Sequence, residues 1–258
     1  MSTPESPKYL HGRTALVTGS GQNIGRAVAL SFARAGANLV INGHRNRDAL
    51  EAVAAEARAQ GVGALTSVTD VADPDAVDAM VQQTVKQFGS IDIVVSNVSL
   101  RHHQPFLEIS VQDWKEIIET NLSASFYLAR SYLPHMKNNN WGRIIHISGR
   151  DGFFPKENRA HNVTCKAGVF ALAKAIALEF GPYGITANTI APGIIDTTRD
   201  AAHYPDLEHM NQVRRKAMPV RRLGHTDDIA GACLYLCSEA GGFVTGQVLH
   251  VNGGEFMS

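Results

Sequence analysis

The densest chemistry in this 258-residue chain lies between Val17 and Gly25, read Val-Thr-Gly-Ser-Gly-Gln-Asn-Ile-Gly. A β-branched run precedes the glycines and an Ala-rich helical segment follows them. Glycine in such a turn lets the backbone approach a pyrophosphate closely, and the exposed N–H groups of the next helix stabilise its charge. Gly19, Ser20, Gly21, Gln22, Asn23, Ile24 and Gly25 are therefore predicted to hold a dinucleotide. A second run ends Ile41-Asn-Gly-His-Arg45. A carboxylate there would accept the ribose hydroxyls of NAD. None is present, and His44 and Arg45 suit a 2′-phosphate, so NADP(H) is favoured over NAD(H). His102 and His103 follow a further run, Ile91–Val95. Their imidazoles titrate near neutrality and are candidates for acid/base work. Arg150 and Asp151 are placed at the same cleft, whereas His146, inside a strand-like run, is predicted to be a satisfied buried residue.

The elements that must carry these residues alternate. Short β-branched runs stand at Thr14–Thr18, Asn38–Asn42, Ala64–Val68, Ile91–Val95, Arg143–Ile147, Ile185–Ile190 and Gln247–Val251. Helical segments separate them: Gly25–Ala35, Arg47–Gln60, Pro74–Phe88, Val111–Met136, His161–Phe180 and Thr226–Cys237. Strand and helix repeated this way predict one α/β domain, a Rossmann-type doubly wound parallel sheet of about seven strands. Ligands bind such a sheet beyond the carboxyl ends of its strands. Residues 1–9, polar and containing two prolines, are predicted to form a flexible N-terminus ahead of a single domain over 10–258. The interval 194–219 lacks strand character and is read as a substrate flap. Within it lie His203, Tyr204, His209 and the basic run Arg214-Arg-Lys216.

Composition removes several classes of function. Twenty-four Lys plus Arg balance twenty-four Asp plus Glu, so no net field draws the chain to nucleic acid or an anionic membrane. Apolar residues at 44% and charged residues at 19% describe a globular protein. No apolar run approaches the ~20 residues needed to cross a bilayer, and the N-terminus lacks a secretory apolar region. Cys165, Cys233 and Cys237 are odd in number without a C-x-x-C spacing, which points to a reducing, cytoplasmic setting and no metal site.

With these residues in view, the chain resembles the short-chain dehydrogenase/reductase family, near its 3-oxoacyl-acyl-carrier-protein reductase branch. The matching pieces are Thr18-Gly-x-x-x-Asn-Ile-Gly25, Asp70-Val71, Ser96-Asn97, Asn121, Lys166-Ala-Gly, Asn188-x-x-x-Pro-Gly193 with Thr197, and Thr245-Gly-Gln-x-x-x-Val-Asn-Gly-Gly254. The resemblance implies that Asp70 and Val71 contact the adenine and that Asn97 flanks the adenosine. It implies that Ile195 and Thr197, after Pro192 and Gly193, hold the nicotinamide carboxamide. Lys166 would bond the nicotinamide ribose, and Asn121 would belong to the catalytic group.

Family members space Tyr-x-x-x-Lys on one helix, with a Ser thirteen residues before the Tyr. Residues i and i+4 share a helix face, so the cation lowers the phenol pKa and makes it a usable acid. Here Asn162 precedes Lys166 by four residues, and Gly149 stands thirteen before Asn162. An amide titrates nowhere near neutrality, and glycine carries no hydroxyl. Ser148 is expected to point away from the site and His161 to lie off the working helix face. The family's Asn-Asn-Ala-Gly after the fourth strand is Ser96-Asn-Val-Ser99 here, with Val98 and Ser99 narrowing space near the nicotinamide. The middle glycine of the phosphate turn is Asn23, which tolerates positive φ. The 2,4-dienoyl-CoA reductases resemble this chain in keeping the Lys without the Tyr.

Three functions remain open: an NADP(H)-dependent oxidoreductase with a rewired proton relay through Lys166, water or a loop histidine; a non-redox elimination or isomerisation enzyme; and a catalytically silent nucleotide-binding subunit. The segment His161–Phe180 is apolar nearly all round, which predicts a homo-oligomer, dimer or tetramer.

Overall fold

Seven parallel strands form one sheet in the order β3-β2-β1-β4-β5-β6-β7. The computed structural model describes residues 8–198 and 206–257. The strands are β1 (Thr14–Val17), β2 (Asn38–Gly43), β3 (Ala64–Val68), β4 (Ile93–Ser96), β5 (Gly142–Ile147), β6 (Ile185–Pro192) and β7 (Val248–Val251). The helices are α1 (Asn23–Arg34), α2 (Arg47–Arg58), α3 (Pro74–Phe88), α4 (Val111–Ile118), α5 (Ala124–Asn138), α6 (Ala160–Phe180), α7 (Leu207–Ala217) and α8 (Thr226–Cys237). The single-domain, doubly wound α/β architecture predicted from the alternation is the one observed. Strand order reverses between β1 and β4, the crevice where such sheets bind ligands.

Two apolar cores explain why the strands read as unbroken apolar runs. One lies between the sheet and α1, α2 and α8, and contains Val28, Phe32, Leu39, Ile41, Val53, Ile145 and Cys233. The other lies beneath α3, α5 and α6, with Leu16, Val94, Leu128, Tyr132, Ile144 and Ile176. A strand covered on both faces has no polar side to alternate with. Helix starts are fixed locally, as Asp73 caps α3 by accepting from the N–H groups of Asp75 and Ala76 with Pro74 behind it.

Several boundaries depart from the sequence reading. The segment read as one helix over 111–136 is α4 and α5 separated by a π turn, Glu119–Ser123. The extra residue swings Asn121 inward, where it is buried; such insertions recur at functional sites. The interval 194–219 is not structureless, since Ile195 bridges to Gly224 and α7 occupies its second half, including His209 and Arg214–Lys216. His203 and Tyr204 lie outside the described residues, as does most of the N-terminus. Tyr9 at its end donates to the Leu234 carbonyl, and Leu10 is already buried. The three cysteines are buried and unpaired, with no group of three metal-ligating side chains among the described residues. No described helix is long and apolar enough to cross a membrane.

Candidate active site

Because all strands run parallel, their carboxyl ends share one edge of the sheet, and two constellations of predicted site residues stand there.

The first is the turn between β1 and α1. Gly19 has φ +61°, and a Cβ on Gly25 would fall on the Gly19 carbonyl oxygen. Asn23 adopts φ 51°, in line with the expectation that it tolerates positive φ. Its Oδ1 accepts from the Thr198 N–H at 2.9 Å, tying the turn to the segment after β6, a link the sequence did not announce. Gln22 caps α1 without a side-chain bond, leaving first-turn N–H groups for a ligand. Ser20 Oγ and the buried Asn42 exchange bonds (Asn42 N–H to Ser20 Oγ, 3.0 Å), while Asn42 Nδ2 donates to the Ser67 and Thr69 carbonyls. Asn97 donates through Nδ2 to the Thr18 and Gly19 carbonyls and holds the turn against β4.

Beside this turn a cavity of about 1130 Å³ is lined by Asn42, His44, Arg45, Asp70, Val71 and Val98 among others. His44 Nε2 and Asp70 Oδ2 are 3.6 Å apart. Val98 stands against Gly19, so its bulk is felt at the phosphate turn. Thr197 lines a separate cavity of about 850 Å³ with Asn23, Arg26 and Asp196. Ile195 is buried at its bridge, and Gly193 passes so close to Asn252 that a side chain would collide.

The second constellation gathers Asn121, Asn162, Lys166 and the loop 98–104. Asn121 Oδ1 accepts from the Leu100 N–H at 2.7 Å, and its Nδ2 donates to the Leu100 carbonyl at 2.8 Å and to Asn162 Oδ1 at 3.1 Å. Asn162 Nδ2 in turn donates to the His102 carbonyl and to His161 Nδ1. Both amides are thus committed inside the protein, stapling the loop to α6.

His161 is fully buried. Its Nδ1 accepts from the Asn162 N–H at 2.8 Å, which leaves the hydrogen on Nε2, facing Gln104 Oε1 at 3.3 Å. Gln104 passes the link to Asp113 at the start of α4. Burial, with His102 beside it, lowers the His161 pKa. His103 Nε2 lies 2.8 Å from Arg159 Nη2, a permanent donor, so the ring accepts and is neutral. Desolvation, then Arg159, lowers its pKa too. His102 packs edge-on to His161 at 6.4 Å. The catalytic candidates Asn121, Asn162 and His102 therefore come together as structural partners, while His103 partners Arg159.

Lys166 differs. It lies one turn beyond Asn162, and no described carboxylate comes within ion-pairing distance. Desolvation, with Arg101 nearby, pulls its ammonium down to about 8. Ser148 is turned toward α6, not away as anticipated, and spends its hydroxyl on the Lys166 carbonyl at 3.3 Å. Gly149 has extended backbone (φ 169°), and nothing stands within 4 Å of the place its Cβ would take. His146 corrects another expectation. It is buried between Ser96 and Thr189 of the flanking strands, yet neither ring nitrogen has a partner. Desolvation lowers its pKa to about 4. Its sequence looked like any core position because strand propensity carries no information about hydrogen-bond partners across the sheet.

Comparison with known proteins places this geometry. A family profile described as enoyl-(acyl carrier protein) reductase matches residues 19–255. The 3-oxoacyl-[acyl-carrier-protein] reductase FabG of Staphylococcus aureus is 36% identical over 245 residues, spanning 95% of this chain and 98% of that protein. The (2S)-[(R)-hydroxy(phenyl)methyl]succinyl-CoA dehydrogenase subunit BbsD of Thauera aromatica is 37% identical over 95% of this chain and 97% of its own. A crystal structure described as a short-chain alcohol dehydrogenase from Sinorhizobium meliloti superposes with a TM-score of 0.90 at 29% identity, over 97% of this chain and 98% of that one. Sequence similarity over nearly the whole chain and the shared fold agree: the chain belongs to the short-chain dehydrogenase/reductase family.

Proposed function

We propose that this protein is an NADP(H)-dependent oxidoreductase acting on a small carbonyl, hydroxyl or enoyl compound, with Lys166 moving the proton that a tyrosine moves elsewhere in the family. The observation that carries this reading is the phosphate turn. Gly25 leaves no room for a Cβ, and Gly19 and Asn23 take positive φ, so the backbone is shaped for close approach by a dinucleotide. The backbone from Gly19 to Gly25 would hold the pyrophosphate. Arg45, with His44 behind it, would meet the 2′-phosphate, while Asp70, Val71 and Asn97 flank the adenosine. Ile195, Thr197, Pro192 and Gly193 would border the nicotinamide, which supplies the hydride when bound. Lys166 would bond the ribose and, as an ammonium near pH 8, give its proton to the substrate. Gly149 leaves the substrate room where a serine side chain would stand.

Titration with NADPH and NADH tests the cofactor half; tighter NADH binding overturns the charge argument. Lys166→Arg tests the relay, because the guanidinium keeps the positive charge and remains protonated. It should retain NADPH binding and lose at least ~100-fold in turnover across a panel of ketones and enoyl thioesters. In the unmodified protein the rate should fall as pH rises through about 8, when the ammonium deprotonates. A rate that stays flat to pH 10 overturns Lys166 as donor.

The commitment of both Asn121 and Asn162 to internal bonds supports the second reading, in which the nucleotide is bound without turnover. A homo-oligomer fits α6, whose exposed face carries Ala167, Ala171, Ala175 and Leu178 at helical spacing. A cytoplasmic setting fits the three unpaired thiols.

A further inference from the structure

We infer that the seam between the loop after β4 and the start of α6 is a pH-operated clasp, shut in neutral solution and released in acid. Loop 98–104 is tied to α6 by side chains whose donor and acceptor roles fix one another in sequence. Asp113 accepts from Gln104 Nε2 at 3.0 Å, which turns Gln104 Oε1 toward His161 Nε2. The His161 hydrogen therefore sits on Nε2, and its Nδ1 accepts from the Asn162 N–H at 2.8 Å and from Asn162 Nδ2 at 3.3 Å. Asn162 Oδ1 is left to accept from Asn121, whose other bonds hold both backbone groups of Leu100. A second tie runs beside this one, where His103 Nε2 accepts from Arg159 Nη2 at 2.8 Å. Both ties end on the lone pair of a ring nitrogen, which is there only while the ring is neutral. The Gln104 N–H bond to the Asn158 carbonyl, at 2.9 Å, depends on neither ring and anchors the loop's far end.

Protonation removes both lone pairs. At His161 it sets an N–H against two donors of Asn162, one of them a backbone N–H in the first turn of α6, where Arg159 supplies no side-chain cap. Positive charge at a helix start is also opposed by the dipole. The Asn162 amide relieves the clash by turning its oxygen to the ring. Its nitrogen then faces Asn121 Nδ2, donor to donor, and an Asn121 that turns in answer meets Leu100 with the wrong group at both ends. At His103 the proton brings a second cation against Arg159. The groups facing each ring set the range. The His161 pKa is lowered from 6.5 by desolvation first, then by His102, with His103 adding and Asp113 opposing. His103 is lowered by desolvation and then Arg159, with Lys156 and Arg101 adding and Asp151 opposing. Folded values below the unfolded ones mean that the clasp's contribution is complete above pH 6.5 and is lost as pH falls below it. Val98 and Leu100 of the same loop line the cavity of about 1130 Å³, so release uncovers that cavity. The inference concerns the loop and holds whatever the cavity binds.

Hydrogen exchange on peptides spanning residues 98–104, read against the same free peptides at each pH, tests the inference. Protection should fall at least ~10-fold between about pH 7.5 and about pH 5, while peptides from β1 keep theirs. His161→Asn places an oxygen where Nδ1 accepts and cannot take up a proton; His103→Gln does the same for Nε2. The double variant should hold the loop at both pH values. His161→Leu, without an acceptor, should leave it exchanging at both. Undiminished protection of the unmodified protein in acid, or a parent-like fall in the double variant, overturns the clasp. Equal loss of protection in β1 also overturns it, since that marks global acid unfolding. If the variants do not fold, the ring-nitrogen shifts of the unmodified protein decide. A neutral His161 with its hydrogen on Nδ1 overturns the assignment, whereas hydrogen on Nε2 and loop exchange that follows the ring's titration sustain it.

Discussion

The phosphate turn and the proton-handling end occupy the same sheet edge, and they tolerate change very differently. On the proposed reading the turn binds through backbone, so its requirements are steric. Glycine is favoured at 19 by its φ of +61° and enforced at 25 by the Gly19 carbonyl, and Asn23 is a residue that accepts positive φ. A proton-transfer site would work through side-chain pKa, which no backbone geometry can replace. Asn162 and Gly149 stand where the family resemblance implies a phenol and a hydroxyl. The amide is absorbed by Asn121, His102 and His161, while the glycine leaves a vacancy. On the proposed reading, recognition coded in backbone tolerates substitution better than chemistry coded in side chains.

Gly25→Ala attacks the first region and should have the largest effect. The new methyl would displace the Gly19 carbonyl, and NADPH affinity should fall at least ~100-fold, or about 3 kcal/mol. Unaltered affinity by titration would show that the turn does not cradle the pyrophosphate.

Restoring the second region is the complementary test. Asn162→Tyr with Gly149→Ser should raise ketone reduction by about 10²-fold, within the range of a general acid. Gly149→Ser is sterically free, but the tyrosine must displace the amide staple, so the double variant should melt below the parent. A folded double variant that binds NADPH and reduces no ketone would mean that the pocket, not merely the relay, has been remodelled.

His146 separates stability from function. A folded pKa of about 4 against an ordinary 6.5 means that the unfolded chain binds the proton first as pH falls. Stability contributed by the neutral ring is present above pH 6.5 and lost progressively down to about pH 4, on the order of 3 kcal/mol. His146→Leu should flatten that acid limb and leave stability at pH 7 equal or higher, because an unpartnered buried imidazole gives way to an apolar group. An unchanged acid limb in urea unfolding would indicate that the ring has a partner.

The smallest expected effect is Asn162→Ala. Its loss should cost about 1–3 kcal/mol through the stranded Asn121 amide, lowering the melting temperature by a few degrees. Asn121→Ala should add little further, since the two act as a unit. Full additivity would show that the amides do not form one network.

The fold, the sheet edge and the glycine turn were legible in the sequence. Strand alternation and glycine spacing depend on near neighbours in the chain, and the chain is all they require. That position 162 is an asparagine and 149 a glycine was equally plain, and the family resemblance is what gave those two positions their meaning. Contacts between distant residues decided the rest. The π turn that buries Asn121 was not visible, because the segment from Val111 to Met136 keeps helical composition throughout. The capture of Asn162 by His161 and the His102 carbonyl joins positions 60 residues apart. Ser148 facing α6 and His146 without a partner are likewise facts of packing. Residue type sets which proton a group can hold; burial and partners, which arise only on folding, set whether it is free to move it.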